Sequence, residues 1–521
     1  MNILDFFPYS SFRKNQRETI EKIQAAFDSD KKYVLLESPT GSGKSAIAIT
    51  LSLYNSPAYI LTSQKVLQDQ YTNDYESTDV RILKGKSNYE CKYFGDIDCK
   101  EGCNKIDKCP MKGECEYEVA KRQAQAAKVA LMNYSYFFHV MEFTDSFQPR
   151  KLIICDECHR GDAELMKFVE FSFSSFWLSK LGITSQIPEY ETTNEYVNWL
   201  NEIKIKIKTR LLSVKHDLDE LKKQTIKDLN LIKDFEEELE SLVTLDSKII
   251  RFLISCSETE WIFEIIEAEK TKTKSIFFKP LMVSHFTETY LFSKAQKVFL
   301  MSATVLSKKN MCNNFGIKEE DCVFIKVPSN FPNENRPMYL TRTGSMSMGA
   351  IDKTLPKIVS DLEKVLKHHP DVKGIVHTHT YKITQYIMNN ISNEFRNRIM
   401  THTAEERESK LQEYMLSSEP KVLLAPSMTD GVDLKDDLAR FVVIVKIPYL
   451  YLGDKQVKRR MEIDGDWYRW KAALTLVQAA GRAMRHEEDY CTIYIMDSAI
   501  GFFLRQNNEY FPEYFIDSIQ N

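Results

Sequence analysis

The chain has 521 residues, enough for three or four domains at the usual ~100–200 residues each. Its 43% hydrophobic and 28% charged residues are the composition of an ordinary globular protein. A formal net charge of −4 excludes general adhesion to polyanions, so any nucleic-acid contact must be a local groove.

The N-terminal MNILDFFP has no basic region ahead of a long apolar stretch, and no apolar run is long enough to cross a bilayer. This predicts an intracellular protein, in the cytoplasm or another internal compartment, with no membrane partner. The first pattern along the chain is strand, turn, helix. YVLL (33–36) reads as a short buried strand, 37–43 as the turn, and 44–53 as a helix rich in alanine and isoleucine. The turn belongs to SPTGSGKS (38–45), which keeps the Gly-Lys-Ser core of a phosphate-binding loop but opens with Ser38 where Gly or Ala is usual. The residues Thr40, Gly41, Ser42 and Gly43 let backbone N–H groups turn inward around phosphate oxygens. Lys44 supplies a point charge to the β/γ-phosphates, and Ser45 is a Mg²⁺ ligand.

Five of the eleven cysteines, Cys91, Cys99, Cys103, Cys109 and Cys115, fall within the 25 residues 91–115. Even scatter would place about half of one there. An odd cluster beside an ATP motif fits metal binding better than secreted disulfides. Next comes IICDECH (153–159), an apolar strand ending in an acidic pair. Such a strand brings Asp156 opposite the phosphate loop to hold Mg²⁺, and Glu157 to orient the attacking water. From about 162 to 279 the pattern changes to long charged helices. Leu218, Leu221, Thr225, Leu229, Ile232, Phe235, Leu239 and Leu242 recur at three- and four-residue steps, which predicts an antiparallel helical hairpin.

Further apolar runs at 58–61, 151–155 and 297–301 each end at a polar or motif residue, as parallel α/β strands do at their active-site ends. A second set at 374–377, 421–424, 441–445 and 492–495 follows the Pro/Asn-rich stretch 328–337. Two lobes of similar design are expected, with the boundary in that stretch. Near the end, Gln478, Arg482 and Arg485 fall at i, i+4 and i+7 and share one helical face. That face can look across a cleft at a γ-phosphate, where an arginine finger contributes roughly a thousandfold to a hundred-thousandfold in rate.

Taken in order, these motifs resemble the superfamily 2 helicases, and within them the XPD/DinG group. FRKNQ (12–16) resembles the adenine-reading segment with Gln16, LTSQ (61–64) motif Ia, DECH (156–159) the Asp-Glu-Ala-His box and SAT (302–304) motif III. DGVD (430–433) resembles motif V, ending at Asp433 in the ATP site, and QAAGRAMR (478–485) motif VI. The fold this implies is α/β, with two RecA-like lobes and two insertions in the first. The divisions are 1–83, 131–164 and 279–330 for the first lobe, 84–130 for an iron–sulfur domain, 165–278 for a helical arch-like insertion and 331–521 for the second lobe. The edges of the cysteine segment also resemble that group, whose four cysteines hold a [4Fe–4S] cluster. Cys91 and Cys115 match its edges, the pair Cys109 and Cys115 resembles DinG, and Cys103 fits the fourth place better than Cys99. Zinc remains the competing ligand: structural zinc sites usually show Cys pairs two to four residues apart, whereas these gaps are seven, three, five and five.

The resemblance implies an ATP- and Mg²⁺-dependent helicase that moves 5′→3′ on single-stranded DNA and opens forked DNA as a monomer. Two alternatives stay open at this point. One is a translocase or RNA motor without duplex unwinding, and the other is a redox-responsive nucleic-acid-binding protein.

Overall fold

The computed structural model of the chain describes residues 2–520 apart from 64, 76–77, 107–108, 184–185, 225–227, 269–272, 330, 427–433, 435 and 482–487, with the backbone alone at 65–66. Two parallel seven-stranded sheets dominate it. The first runs in the order Cys322–Lys326, Tyr33–Glu37, Ala295–Ser302, Arg150–Asp156, Ala58–Thr62, Val129–Asn133, Val80–Ile82. Its central strands are runs of Val, Leu and Ile buried on both faces, the composition a parallel sheet covered by helices requires. Register aligns the strand ends: Glu37 lies opposite Ser302, and Asp156 opposite Met301. The phosphate loop, the acidic box and the Ser-Ala-Thr segment therefore leave one edge of the sheet together, where ligands bind in open α/β folds.

The second sheet runs Ile399–Met400, Val422–Ala425, Gly374–His377, Phe441–Ile444, Thr492–Asp497, Met338–Gly344, Ile519–Gln520. Each of its pairings is parallel. Its first strand in sequence begins just after the 328–337 stretch.

Between the box and the last strands of the first sheet, helices Thr193–Lys223 and Leu229–Ser255 pack side by side. Glu238, almost buried, receives Arg210 at 2.7 Å and Lys180 at 2.9 Å, which ties the pair together. The helices do not stand alone, as the sequence pattern suggested. A three-stranded antiparallel sheet of Phe171–Ser174, Lys274–Pro280 and Trp261–Glu267 closes their base, with Phe171 stacked on Phe278. The second helix also touches the cysteine segment, through Lys233 to Glu101 at 3.7 Å and Glu240 to Lys100 at 3.0 Å. Among the described residues no helix is long and apolar enough to cross a membrane.

Candidate active site

The phosphate loop leaves the Tyr33–Glu37 strand and enters the helix Lys44–Tyr54. Gly41 and Gly43 stand at φ +79° and +81°, a region that L-residues rarely adopt, so glycine is required at both. A side chain at Gly43 would also strike Gln16, whose Nε2 donates to Gly43 O at 3.2 Å while its Oε1 accepts from Arg13 N at 2.7 Å. Gln16 is thereby fixed against the loop, with both of its amide atoms engaged by the chain itself. Ser38 Oγ donates to Ser42 Oγ at 2.7 Å, and Lys44 Nζ donates to Ser38 O at 3.0 Å and Pro39 O at 3.3 Å. The ammonium thus caps carbonyls of the loop whose N–H groups would take phosphate.

Asp156 ends its strand almost buried. Its Oδ2 accepts from Tyr71 OH at 3.0 Å and its Oδ1 from Glu157 N at 2.9 Å. Burial and then the neighbouring Glu157 charge push its pKa up to about 7, against the pull of Lys44 and the Tyr71 hydroxyl. One buried hydroxyl therefore holds the carboxylate expected to meet Mg²⁺. Sequence reasoning missed Tyr71; its only signal is an aromatic on the helix after the Ala58–Thr62 strand. Ser45, at the start of the helix after the phosphate loop, and Asp156, at the end of its strand, fit a hard cation as oxygen donors.

Glu157 sits at φ +50°, a left-handed conformation that costs a non-glycine residue about 1–3 kcal/mol and persists where the surroundings hold it. Its carboxylate meets His159 Nδ1 at 3.2 Å, and the same nitrogen lies 2.8 Å from Ser302 Oγ. Ser302 Oγ in turn donates to Thr304 O at 3.0 Å. Box and Ser-Ala-Thr segment are therefore one hydrogen-bonded unit. Cys155 and Cys158 are buried in the core beside them, with no part in the cysteine segment.

From the second lobe, helix Gly465–Ala480 carries half-buried Gln478. Arg482 and Arg485, with Asp433 and the rest of DGVD, lie outside the described residues, as does Gln64.

In the cysteine segment, Cys91 and Cys99 are buried, Cys109 and Cys115 are half-buried and Cys103 is exposed. Cys99 Sγ lies 3.5 Å from Cys115 Sγ and 3.9 Å from Cys103 Sγ. Cys91 Sγ packs where a side chain on Gly102, in the helix Cys99–Lys105, would fall. The structure thus gathers Cys103 and Cys115 about Cys99, which the resemblance ranks below Cys103, while Cys91 packs against Gly102. Cys109 follows the undescribed residues 107–108. Among the described residues no three or more His, Cys, Asp or Glu side chains are grouped so as to hold a metal ion. The thiols nevertheless fit a thiolate-bound group, because Cys91, Cys99 and Gly102 are all that the described part of 84–116 buries.

Two family models match the chain: a type III restriction enzyme res subunit over residues 9–186 and a helicase C-terminal domain over residues 362–517. The ATP-dependent DNA helicase YoaA of Haemophilus influenzae is 22% identical, over 94% of this chain and 92% of its own. The ATP-dependent DNA helicase XPD of Sulfolobus acidocaldarius is 22% identical over 89% and 92%. Along nearly its whole length the chain is similar to XPD-like ATP-dependent helicases. A solved XPD helicase superposes with a TM-score of 0.64 at 19% identity, covering 96% of this chain and 98% of that one. Each matched region carries five of the seven strands of one of the two sheets.

Proposed function

We propose that this XPD-like helicase acts on DNA, hydrolysing ATP·Mg²⁺ between its lobes, moving 5′→3′ along a single strand and parting the duplex ahead. The observation that carries the proposal is the hydrogen-bonded unit of Asp156, Glu157, His159 and Ser302 facing the phosphate loop. Lys44 and the loop amides hold the phosphates, and Ser45 and Asp156 hold Mg²⁺, with Tyr71 fixing Asp156. Glu157 orients the attacking water, held by His159. Gln478, with Arg482 and Arg485, reaches the γ-phosphate from the second lobe and neutralises charge as the phosphoryl group leaves. Gln16 reads the base, and Asp433 completes the nucleotide site.

Cys91, Cys103, Cys109 and Cys115 are the proposed ligands of a [4Fe–4S] cluster, with Cys99 the fifth thiol packed against two of them. Such a cluster supplies cross-links that the segment lacks otherwise. Contact between the segment and the helical insertion supports a shared role as the wedge at the fork. One observation favours zinc instead: Sγ separations of 3.5 and 3.9 Å are close to the roughly 3.8 Å edge of a thiolate tetrahedron with Zn–S of about 2.3 Å.

Phosphate release with no nucleic acid, single-stranded DNA and single-stranded RNA, together with metal analysis of anaerobically purified protein, tests this reading. The expected result is strong stimulation by DNA and close to four irons per chain. RNA stimulation alone contradicts the substrate, and stoichiometric zinc with no iron contradicts the cluster.

A further inference from the structure

Two adjacent buried or nearly buried residues of helix Gly465–Ala480, Trp470 and Lys471, reach the first lobe two turns before Gln478. Trp470, fully buried, donates its Nε1–H to Val305 O at 2.8 Å. The N–H of the same Val305 donates to Glu37 Oε2 at 2.7 Å, and Glu37 is the residue immediately before the phosphate loop. Leu306 N joins it on that carboxylate oxygen at 2.6 Å, in a left-handed conformation at φ +64°. Residue 305 therefore bonds through one end to the strand that feeds the phosphate loop and through the other to the motif VI helix.

Lys471, next along, meets Asp162 at 2.7 Å with both side chains nearly buried. Asp162 lies in the first turn of Gly161–Val169, the helix that follows the acidic box. Burial would raise its pKa, but Lys471 first, then Asn314 and Arg460, hold it below the usual carboxylate value. Around this pair, Arg460 Nη2 donates to Asn314 Oδ1 at 2.7 Å and Asn310 Nδ2 donates to Asp466 Oδ2 at 3.3 Å, both across the lobes. A buried ion pair is a poor source of stability, because desolvating two charges consumes most of what their attraction returns. What it supplies is a fixed geometry. Lys471 and Gln478 are seven residues apart, two turns of helix, so the face that docks on Asp162 is the face that presents Gln478.

We propose that Trp470 and Lys471 are positioning residues for hydrolysis. They form the joint that ties the motif VI helix to the phosphate-loop strand and to the box helix, so that the second lobe swings about a point registered to the nucleotide. Neither residue touches nucleotide in this account. The inference rests on the reading of Gln478 and its arginines as the groups that cross the cleft.

The test uses the full chain and four variants: Trp470→Phe, which keeps a ring but removes the N–H, Lys471→Met, Asp162→Asn and the conservative Lys471→Arg. Single-stranded-DNA-stimulated kcat and KM for ATP, Kd for a fluorescent ATP analogue and the melting temperature are measured on each. Trp470→Phe, Lys471→Met and Asp162→Asn should lower kcat per folded molecule about tenfold or more with Kd unchanged within about twofold, and Lys471→Arg should recover most of the loss. A merely structural role would lower the melting temperature and leave turnover of the folded molecules unchanged, which would overturn the proposal. So would equal losses in Kd and kcat. If Lys471→Met does not fold, Trp470→Phe decides on the same criteria. A wild-type chain that does not hydrolyse ATP contradicts the functional reading itself, whereas a wild type that hydrolyses ATP beside variants that match it contradicts the joint alone.

Discussion

The nucleotide edge of the first sheet and the cysteine segment inserted into that sheet are held by different physics. Val34, Leu35, Leu36, Ile153 and Ile154 are fully buried, and each removes apolar surface from water at roughly 25 cal/mol per Å². Among the described residues of 84–116, burial is confined to Cys91, Cys99 and Gly102. A stretch with so little apolar surface does not hold itself by burial alone. What it buries is mainly thiol, and Arg150 anchors the end of the helix Glu116–Ala126 that follows it. Arg150 donates to the carbonyls of Ala124, Gln125, Ala127 and Ala58 and stacks over Tyr59 at 4.6 Å. The lesson is a separation of tasks. If the proposed cluster is present, the sheet should keep its catalytic edge whether or not the segment is ordered, and the segment should depend on the bound group.

The largest break in that comparison comes from the sheet side. Lys44→Ala should reduce single-strand-stimulated hydrolysis by about a thousandfold or more while leaving circular dichroism and the melting curve unchanged, since the ammonium serves the loop and no apolar core. Substantial turnover in that variant would mean the phosphate loop is misassigned.

From the other side, Cys115→Ser should remove the bound metal and open residues 84–128 to proteolysis. Basal hydrolysis should survive at about half the wild-type rate or more, and strand separation should be lost. Loss of hydrolysis together with the metal would abolish the separation of tasks.

A smaller effect sharpens the boundary between the two regions. Arg150→Met strips donors from four carbonyls and should destabilise the chain by about 3 kcal/mol, read as a drop in the urea midpoint with metal content retained. At the fine end, Tyr71→Phe should raise the Mg²⁺ concentration for half-maximal hydrolysis about threefold and leave metal in the cysteine segment untouched. An unchanged Mg²⁺ dependence would reduce Tyr71 to packing.

The parts of this molecule that could be read from sequence are those whose chemistry is contiguous. Gly41 to Ser45, Asp156 with Glu157, and the 302–304 tripeptide each carry a strand-end signature in a few residues, and the sheet register then brings them to one edge. What escaped reading depends on partners distant in the chain. Tyr71 meets Asp156 across 85 positions, and Trp470 meets Val305 across 165. The small sheet of the insertion pairs Phe171–Ser174 with Lys274–Pro280 around the two long helices, so leucine periodicity revealed the helices and hid the strands. The resemblance ranks Cys99 below Cys103, yet folding gathers Cys103 and Cys115 about it, because a four-residue step on a helix faces two thiols the same way.

The most direct measurement of the central claim is strand displacement by the wild-type chain on duplexes with a single-stranded tail at either the 5′ or the 3′ end, with and without ATP·Mg²⁺. The account predicts displacement from the 5′-tailed duplex that requires ATP, and none from the 3′-tailed one. Displacement from the 3′ tail alone, or ATP hydrolysis on both substrates with no strand released, would contradict it.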